Sequence, residues 1–247
     1  MIKIGKVTLG SIPQIALAVG EYSEDLFESY NNGVSFLEIR IDHFSNFDSG
    51  FVVSQLEKFK GLNIPLIATI RTISEKGKWN KSESEREKLF YTVIDLVDAI
   101  DIELSSNEIN KKVSSYCKQK GKTLIVSNHD FSETANDIIL QKQFNDAKDL
   151  NADIVKLACL AKNQDDVTRM LEFVNKNKAQ GIIGISMGSI GAISRVVAPL
   201  FGSLITYTST DLNYGQLSLA QLVDLSRLLY PPFNQDFIIS RQVLEFV

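Results

Sequence analysis

Asp153-Ile154-Val155-Lys156-Leu157-Ala158-Cys159-Leu160 is an almost unbroken apolar run of strand length, the pattern of a β-strand covered on both faces in a parallel sheet. Lys156 interrupts it. An ammonium among aliphatic side chains is costly unless it is paired or deprotonated. A lysine held there is either matched by a nearby acid or kept neutral as an amine nucleophile.

Outward from that strand, apolar runs alternate with amphipathic helical stretches along the whole chain. Strands are expected at Ile15–Val19, Phe36–Asp42, Pro65–Arg71, Ala99–Ser105, Thr123–Asp130, Asp153–Leu160, Ile182–Met187 and Leu204–Thr208. Helical patterns include Ser23–Asn32, Glu83–Val97, Asn107–Lys120, Asp165–Lys178 and a final helix near Leu217–Leu229, stopped by Pro231-Pro232. Ser82 with Glu85 forms a capping box, and Gly33, Gly121 and Gly181 stand where helix C-caps belong. Eight βα units in 247 residues point to an α/β fold, a (β/α)8 TIM barrel. No linker-like stretch divides the chain, so 1–247 reads as one domain. Residues Ile2–Leu9 are expected to form a short strand or hairpin closing the barrel bottom, and 230–247 form a tail of unassigned role.

Alternation along the strands supports closure. Glu38, Arg40 and Asp42 share one face and Leu37, Ile39 and Ile41 the other. Thr69 and Arg71 alternate with Ala68 and Ile70, and Asp101 and Glu103 with Ile102 and Leu104. In a barrel the outer face packs on helices, so the polar residues point inward. A charged lumen resembles a site, and barrel sites collect at the C-terminal strand ends. Those ends offer Glu38, Arg40, Arg71, Glu103, His129, Lys156 and Met187, and the adjoining loops add Glu75, Arg195 and Gln216.

Composition removes several function classes. A net charge of −4 with no basic stripe argues against nucleic acid as a partner. No apolar run is long enough to cross a bilayer, and the N-terminus lacks a signal-peptide pattern. Two cysteines, Cys117 and Cys159, make no close-spaced pair and suit a reducing cytoplasm. Two histidines cannot build a multi-histidine metal centre.

For Lys156 the residues leave two readings open: an ion pair with Glu38 or Glu103, or an amine nucleophile. A solvated lysine, with a pKa of about 10.4, is neutral in roughly one molecule in a few thousand at pH 7. Apolar walls and a nearby Arg40 or Arg71 would raise that fraction and favour Schiff-base formation. His129 is either a general acid and base or a hydrogen-bonded strand-end residue, while His43 reads as structural or solvent-facing. Arg195 follows the turn Gly188-Ser189-Ile190-Gly191, which opens a helix and suits a carboxylate or phosphate. Gly184-Ile185-Ser186-Met187-Gly188 matches a nucleophile elbow, but a triad of that fold needs a histidine after the serine and none follows His129. The charged stretch Ser74–Lys88 reads as a solvated loop and first helical turn, apart from Glu75 beyond the Arg71 strand end.

Several of these segments, in order, resemble the type I 3-dehydroquinate dehydratase family. Asp101-Ile102-Glu103-Leu104 followed by Leu124-Ile125-Val126-Ser127-Asn128-His129-Asp130 is similar to its signature. Glu38-Ile39-Arg40-Ile41-Asp42-His43-Phe44 looks like its second strand, Thr69-Ile70-Arg71-Thr72 with Glu75 its third, and Lys156-Leu157-Ala158 its Schiff-base strand. Ile185-Ser186-Met187-Gly188 with Ser194-Arg195 resembles its seventh. The resemblance implies dehydration of 3-dehydroquinate in the shikimate pathway, with no metal or organic cofactor. It makes Lys156 the imine-forming amine, His129 the proton carrier and Glu75 the group orienting His129. Arg195 would clamp the substrate carboxylate, Glu38, Arg40 and Arg71 position hydroxyls, Met187 pack on the substrate and Gln216 belong to a closing loop. It also implies a homodimer.

Two departures stand out. The family's last loop commonly reads small residue–Pro–Gly–Gln, whereas this chain has Asp211-Leu212-Asn213-Tyr214-Gly215-Gln216, and Lys76 replaces one of a usual glycine pair. A class I aldolase, which also uses a barrel imine, and a non-catalytic barrel with an ion-paired Lys156 are the competing readings.

Overall fold

Strand pairing runs parallel around the sheet in the order β10-β3-β4-β5-β6-β7-β8-β9. These strands are β3 (Gln14–Val19), β4 (Phe36–Arg40), β5 (Leu66–Thr69), β6 (Ala99–Glu103), β7 (Thr123–Asp130), β8 (Ile154–Leu160), β9 (Ile182–Met187) and β10 (Ile205–Ser209). The seam between β9 and β10 is stitched at its base, where Leu204 N–H donates to Ile182 O at 3.0 Å and Gly184 N–H to Ser203 Oγ at 3.2 Å. The result is a nearly closed (β/α)8 TIM barrel. The structure is a computed structural model that describes residues 1–10, 12–24, 33–212, 215–231 and 233. Most of the helix expected over Ser23–Asn32, and the tail beyond Phe233, lie outside the described residues.

Helices α1 (Ser49–Lys60), α2 (Glu83–Val93), α3 (Asn110–Gln119), α4 (Asp137–Asp149), α5 (Gln164–Asn177), α6 (Ser194–Val197) and α7 (Leu219–Leu229) surround the sheet. Their apolar faces bury Leu56, Phe59, Phe90, Phe144, Met170 and Val174 against the outward strand residues Leu37, Ile39, Ala68, Ile102, Val126 and Leu157. The Ser82–Glu85 capping box is present. Gly121 and Gly181 take the positive φ values, 65° and 80°, that a residue ending a helical turn needs.

Three expected strands stop early, β6 among them, which ends at Glu103 and not at Ser105. Beyond Arg40 the chain turns into a short 3-10 helix, Ile41–His43, and β5 ends at Thr69. The sheet ladder there gives way to side chains: Asp42 accepts the Lys78 N–H at 3.0 Å and Glu103 the Thr72 N–H at 2.9 Å.

The lumen is not charged throughout. Inward positions near the strand starts, Phe36, Ile67, Ala99, Ile125, Ile154, Ile183 and Ile205, form an apolar floor. Two residues further along the same faces come Glu38, Thr69, Asp101, Ser127, Lys156 and Tyr207. The chain start, β1 (Lys3–Ile4) and β2 (Val7–Thr8), is an antiparallel hairpin whose Ile4 is fully buried in that floor.

Candidate active site

Lys156 lies in the middle of β8, between the ladders to β7 and β9, with its neighbours Ser127 and Ile183 in register. Its Nζ donates to Asp101 Oδ2 at 3.1 Å and Glu38 Oε1 at 3.4 Å, and sits 3.9 Å from the Tyr207 ring centroid. The acid expected beside it was Glu38 or Glu103. Glu38 is there, but the second partner is Asp101. Glu103 is captured by Arg86, a fully buried residue of α2 whose Nη1 donates to Glu103 Oε2 at 2.8 Å, and by Thr72 N–H.

Burial would raise the carboxyls of Asp101 and Glu38. The charges of Arg71 and Lys156 at Asp101, and of Lys156 at Glu38, hold both below the usual range instead. Arg71 donates from Nη2 to Asp101 Oδ1 and from Nη1 to Ser127 Oγ, each at 2.8 Å. Asp42 grips Arg40 with two hydrogen bonds, at 3.0 and 2.8 Å. Both guanidiniums therefore reach the lysine's surroundings already engaged by acids.

His129, near the end of β7, is fixed by Glu75, whose Oε2 lies 2.8 Å from Nδ1 and also accepts the His129 backbone N–H at 3.2 Å. Ser105 Oγ donates to the other Glu75 oxygen at 2.6 Å. A carboxylate only accepts, so Nδ1 carries the hydrogen and Nε2 keeps a lone pair. Burial, with the charge of Arg71, pulls the imidazole below its ordinary value, and the bond from Glu75 only partly offsets this. His129 is therefore neutral at pH 7.

The turn before Arg195 opens a helical segment, as expected. The glycine turn tightens into a 3-10 helix, Ile190–Ile193, that runs into the four-residue α6. A Cβ on Gly191 would stand 2.3 Å from Ser186 O, so only glycine lets the turn lie this close to β9. Arg195 is buried, with Nη1 donating to Tyr207 O at 3.1 Å and Nε to Gly215 O at 3.2 Å. Burial draws its pKa down to about 10, still charged at neutrality. Gly215, at φ +72°, packs its backbone on Gly188, and beyond it Gln216 Oε1 accepts from Ser209 Oγ at 2.9 Å. Ser186, the serine of the elbow-like motif, is fully buried and its N–H donates to Ser194 Oγ at 3.0 Å.

A cavity of about 450 Å³ opens over this layer, and Lys156, His129, Glu75, Glu38, Arg40, Arg71, Met187, Arg195 and Gln216 all line it. So do His43, Lys76, Phe131 and Tyr207, which the sequence reading left out of the site. Asp101 was also left out, although it shares the inward face of Glu103. A buried amine, a neutral imidazole oriented by a carboxylate, and a buried guanidinium in one cavity suit proton transfer next to a carbonyl held as an imine. Among the described residues no helix is long and apolar enough to cross a membrane.

The family model for type I 3-dehydroquinase matches residues 15–231. A 3-dehydroquinate dehydratase of Methanococcoides burtonii is 34% identical over 227 residues, covering 90% of this chain and 97% of the relative. One from Aquifex aeolicus is 34% identical over 211 residues, covering 85% and 94%. Among solved structures, a type I 3-dehydroquinate dehydratase from Clostridium difficile with covalently modified comenic acid superposes with a TM-score of 0.85. It is 28% identical and the match covers 94% of this chain and 98% of that one.

Proposed function

The chain belongs to the type I 3-dehydroquinase family and is a hydro-lyase of the 3-dehydroquinate dehydratase type, and we propose that it converts 3-dehydroquinate to 3-dehydroshikimate and water through an imine on Lys156, in the shikimate pathway. One observation carries the imine: a buried lysine amine lines the same cavity as a neutral histidine whose Nδ1 is held by a carboxylate.

Lys156 sheds one proton, and its nitrogen attacks the ring ketone. The carbinolamine loses its hydroxyl as water, leaving an iminium that draws electrons from the adjacent C–H bond. His129 takes that proton at Nε2, and the electrons form an enamine. The enamine expels the hydroxyl one carbon further on, and His129 returns the proton so that it leaves as water. Addition of one water to the imine frees the product and the amine, so one water is lost overall. Glu75 keeps the His129 lone pair facing the substrate. Arg195 pairs with the substrate carboxylate, while Glu38, Arg40 and Arg71 bind hydroxyls. Met187 packs on the ring, and Gln216 comes with the loop that closes over it. The same reading makes the enzyme a cytoplasmic homodimer: the thiols of Cys117 and Cys159 are free and buried, the family resemblance supports the dimer, and light scattering tests it.

Borohydride added with 3-dehydroquinate is expected to fix a reduced adduct on the Lys156 peptide. Lys156→Ala is expected to lose both the adduct and at least about a thousandfold in kcat. A wild-type protein that consumes no substrate and forms no adduct would sink the proposal, and aldol cleavage products would favour the aldolase reading.

A further inference from the structure

The Lys156 nitrogen meets an aromatic face as well as two carboxylates. Five other lysine–aromatic pairs among the described residues are 5.5–5.9 Å apart, whereas Nζ of Lys156 is 3.9 Å from the centre of the Tyr207 ring. Lys156 and Tyr207 are each 4% exposed, so little water screens the attraction between a cation and the ring's negative face.

Carboxylates and ring act on different properties of this nitrogen. An ammonium offers three N–H donors and can hold Asp101 and Glu38 together. An iminium offers one, so conversion of the amine to the imine removes most of that hydrogen bonding. Attraction to the ring needs charge and no N–H, and it persists through the change. We propose that the Tyr207 ring is a catalytic group of the reaction, stabilising the positive charge of the iminium on Lys156 when a single N–H is left to hydrogen-bond the two carboxylates. The inference rests on the imine reading above.

The Tyr207 hydroxyl has no hydrogen-bond partner among the described residues. Burial, with Glu38 and Asp101 nearby, holds the phenol well above its ordinary pKa, so it stays protonated and does not serve as a base. That leaves the ring face as the part that meets the lysine.

Tyr207→Phe, Tyr207→Leu and Tyr207→Met separate ring from hydroxyl. The readouts are the single-turnover rate of the borohydride-trappable adduct with 3-dehydroquinate, and kcat against KM. Tyr207→Phe is expected to trap within about twofold of wild type. The leucine and methionine variants are expected to trap and turn over about tenfold slower, with KM nearly unchanged. Circular dichroism checks each fold, and methionine carries the comparison should leucine not fold. Non-aromatic variants as fast as wild type would overturn the inference. So would a phenylalanine variant as slow as leucine, which assigns the effect to the hydroxyl. A wild-type protein with no adduct would overturn the imine reading itself, a separate outcome.

Discussion

Glu75 both orients His129 and tunes it. Burial and Arg71 depress the imidazole, and the Glu75 carboxylate pulls the other way. The acid limb of kcat/KM, where His129 gains a proton and stops acting as a base, is therefore expected below the ordinary value of about 6.5. Glu75→Gln removes the negative charge that favours the imidazolium, so the midpoint should move to lower pH. An amide can also donate to Nδ1 and leave the hydrogen on Nε2, so kcat should fall roughly 10–100-fold. A pH–rate profile of both proteins checks the sign, and a midpoint that rises in the variant would contradict the assignment. Asp101 illustrates why some residue roles were not legible in sequence. Its inward face followed from alternation, but Glu103 shares that face. The choice between them was made by Arg86, which arrives from α2 and draws Glu103 away from the lysine.

At the scale of elements, the order and kind of nearly every strand could be read from apolar runs alternating with amphipathic ones. Strand ends could not. β4 and β5 stop where Asp42 and Glu103 take over backbone N–H groups from residues far along the chain, a tertiary event with no local pattern. The loop after β10 is similar. Its glycine was visible, but not that Gly215 lies against the turn after β9, with a Cβ there only 2.0 Å from Gly188 O. Gly215→Ala would force that contact apart and cost about 1 kcal/mol in the left-handed backbone region. Because Gly215 O also accepts from Arg195, KM for 3-dehydroquinate is expected to rise about tenfold. Steady-state kinetics beside a melting curve lowered by only about 2–4 °C would separate this from loss of fold, and an unaltered KM would remove the loop from binding.

In the whole molecule the two ends of the barrel do different work. Alternation alone suggested a charged lumen; the structure divides it into an apolar floor and a charged mouth, because isoleucines at the strand starts share the inward face with the acids and lysine further up. Ile4 of the N-terminal hairpin completes the floor. Ile4→Ala is expected to cost about 2–4 kcal/mol in urea unfolding while kcat stays within about twofold, since it touches the end away from the chemistry. A large drop in kcat at full folding would show that the ends are coupled. The floor also governs traffic. Among the described residues the apolar floor and Ile4 fill the lower end of the lumen, so substrate, product and water share the mouth above Lys156, where a seated ligand stands. On the proposed mechanism, a guest that forms the imine but cannot eliminate would stand between that mouth and the carbon that water must attack, so its residence would be set by how readily water passes it.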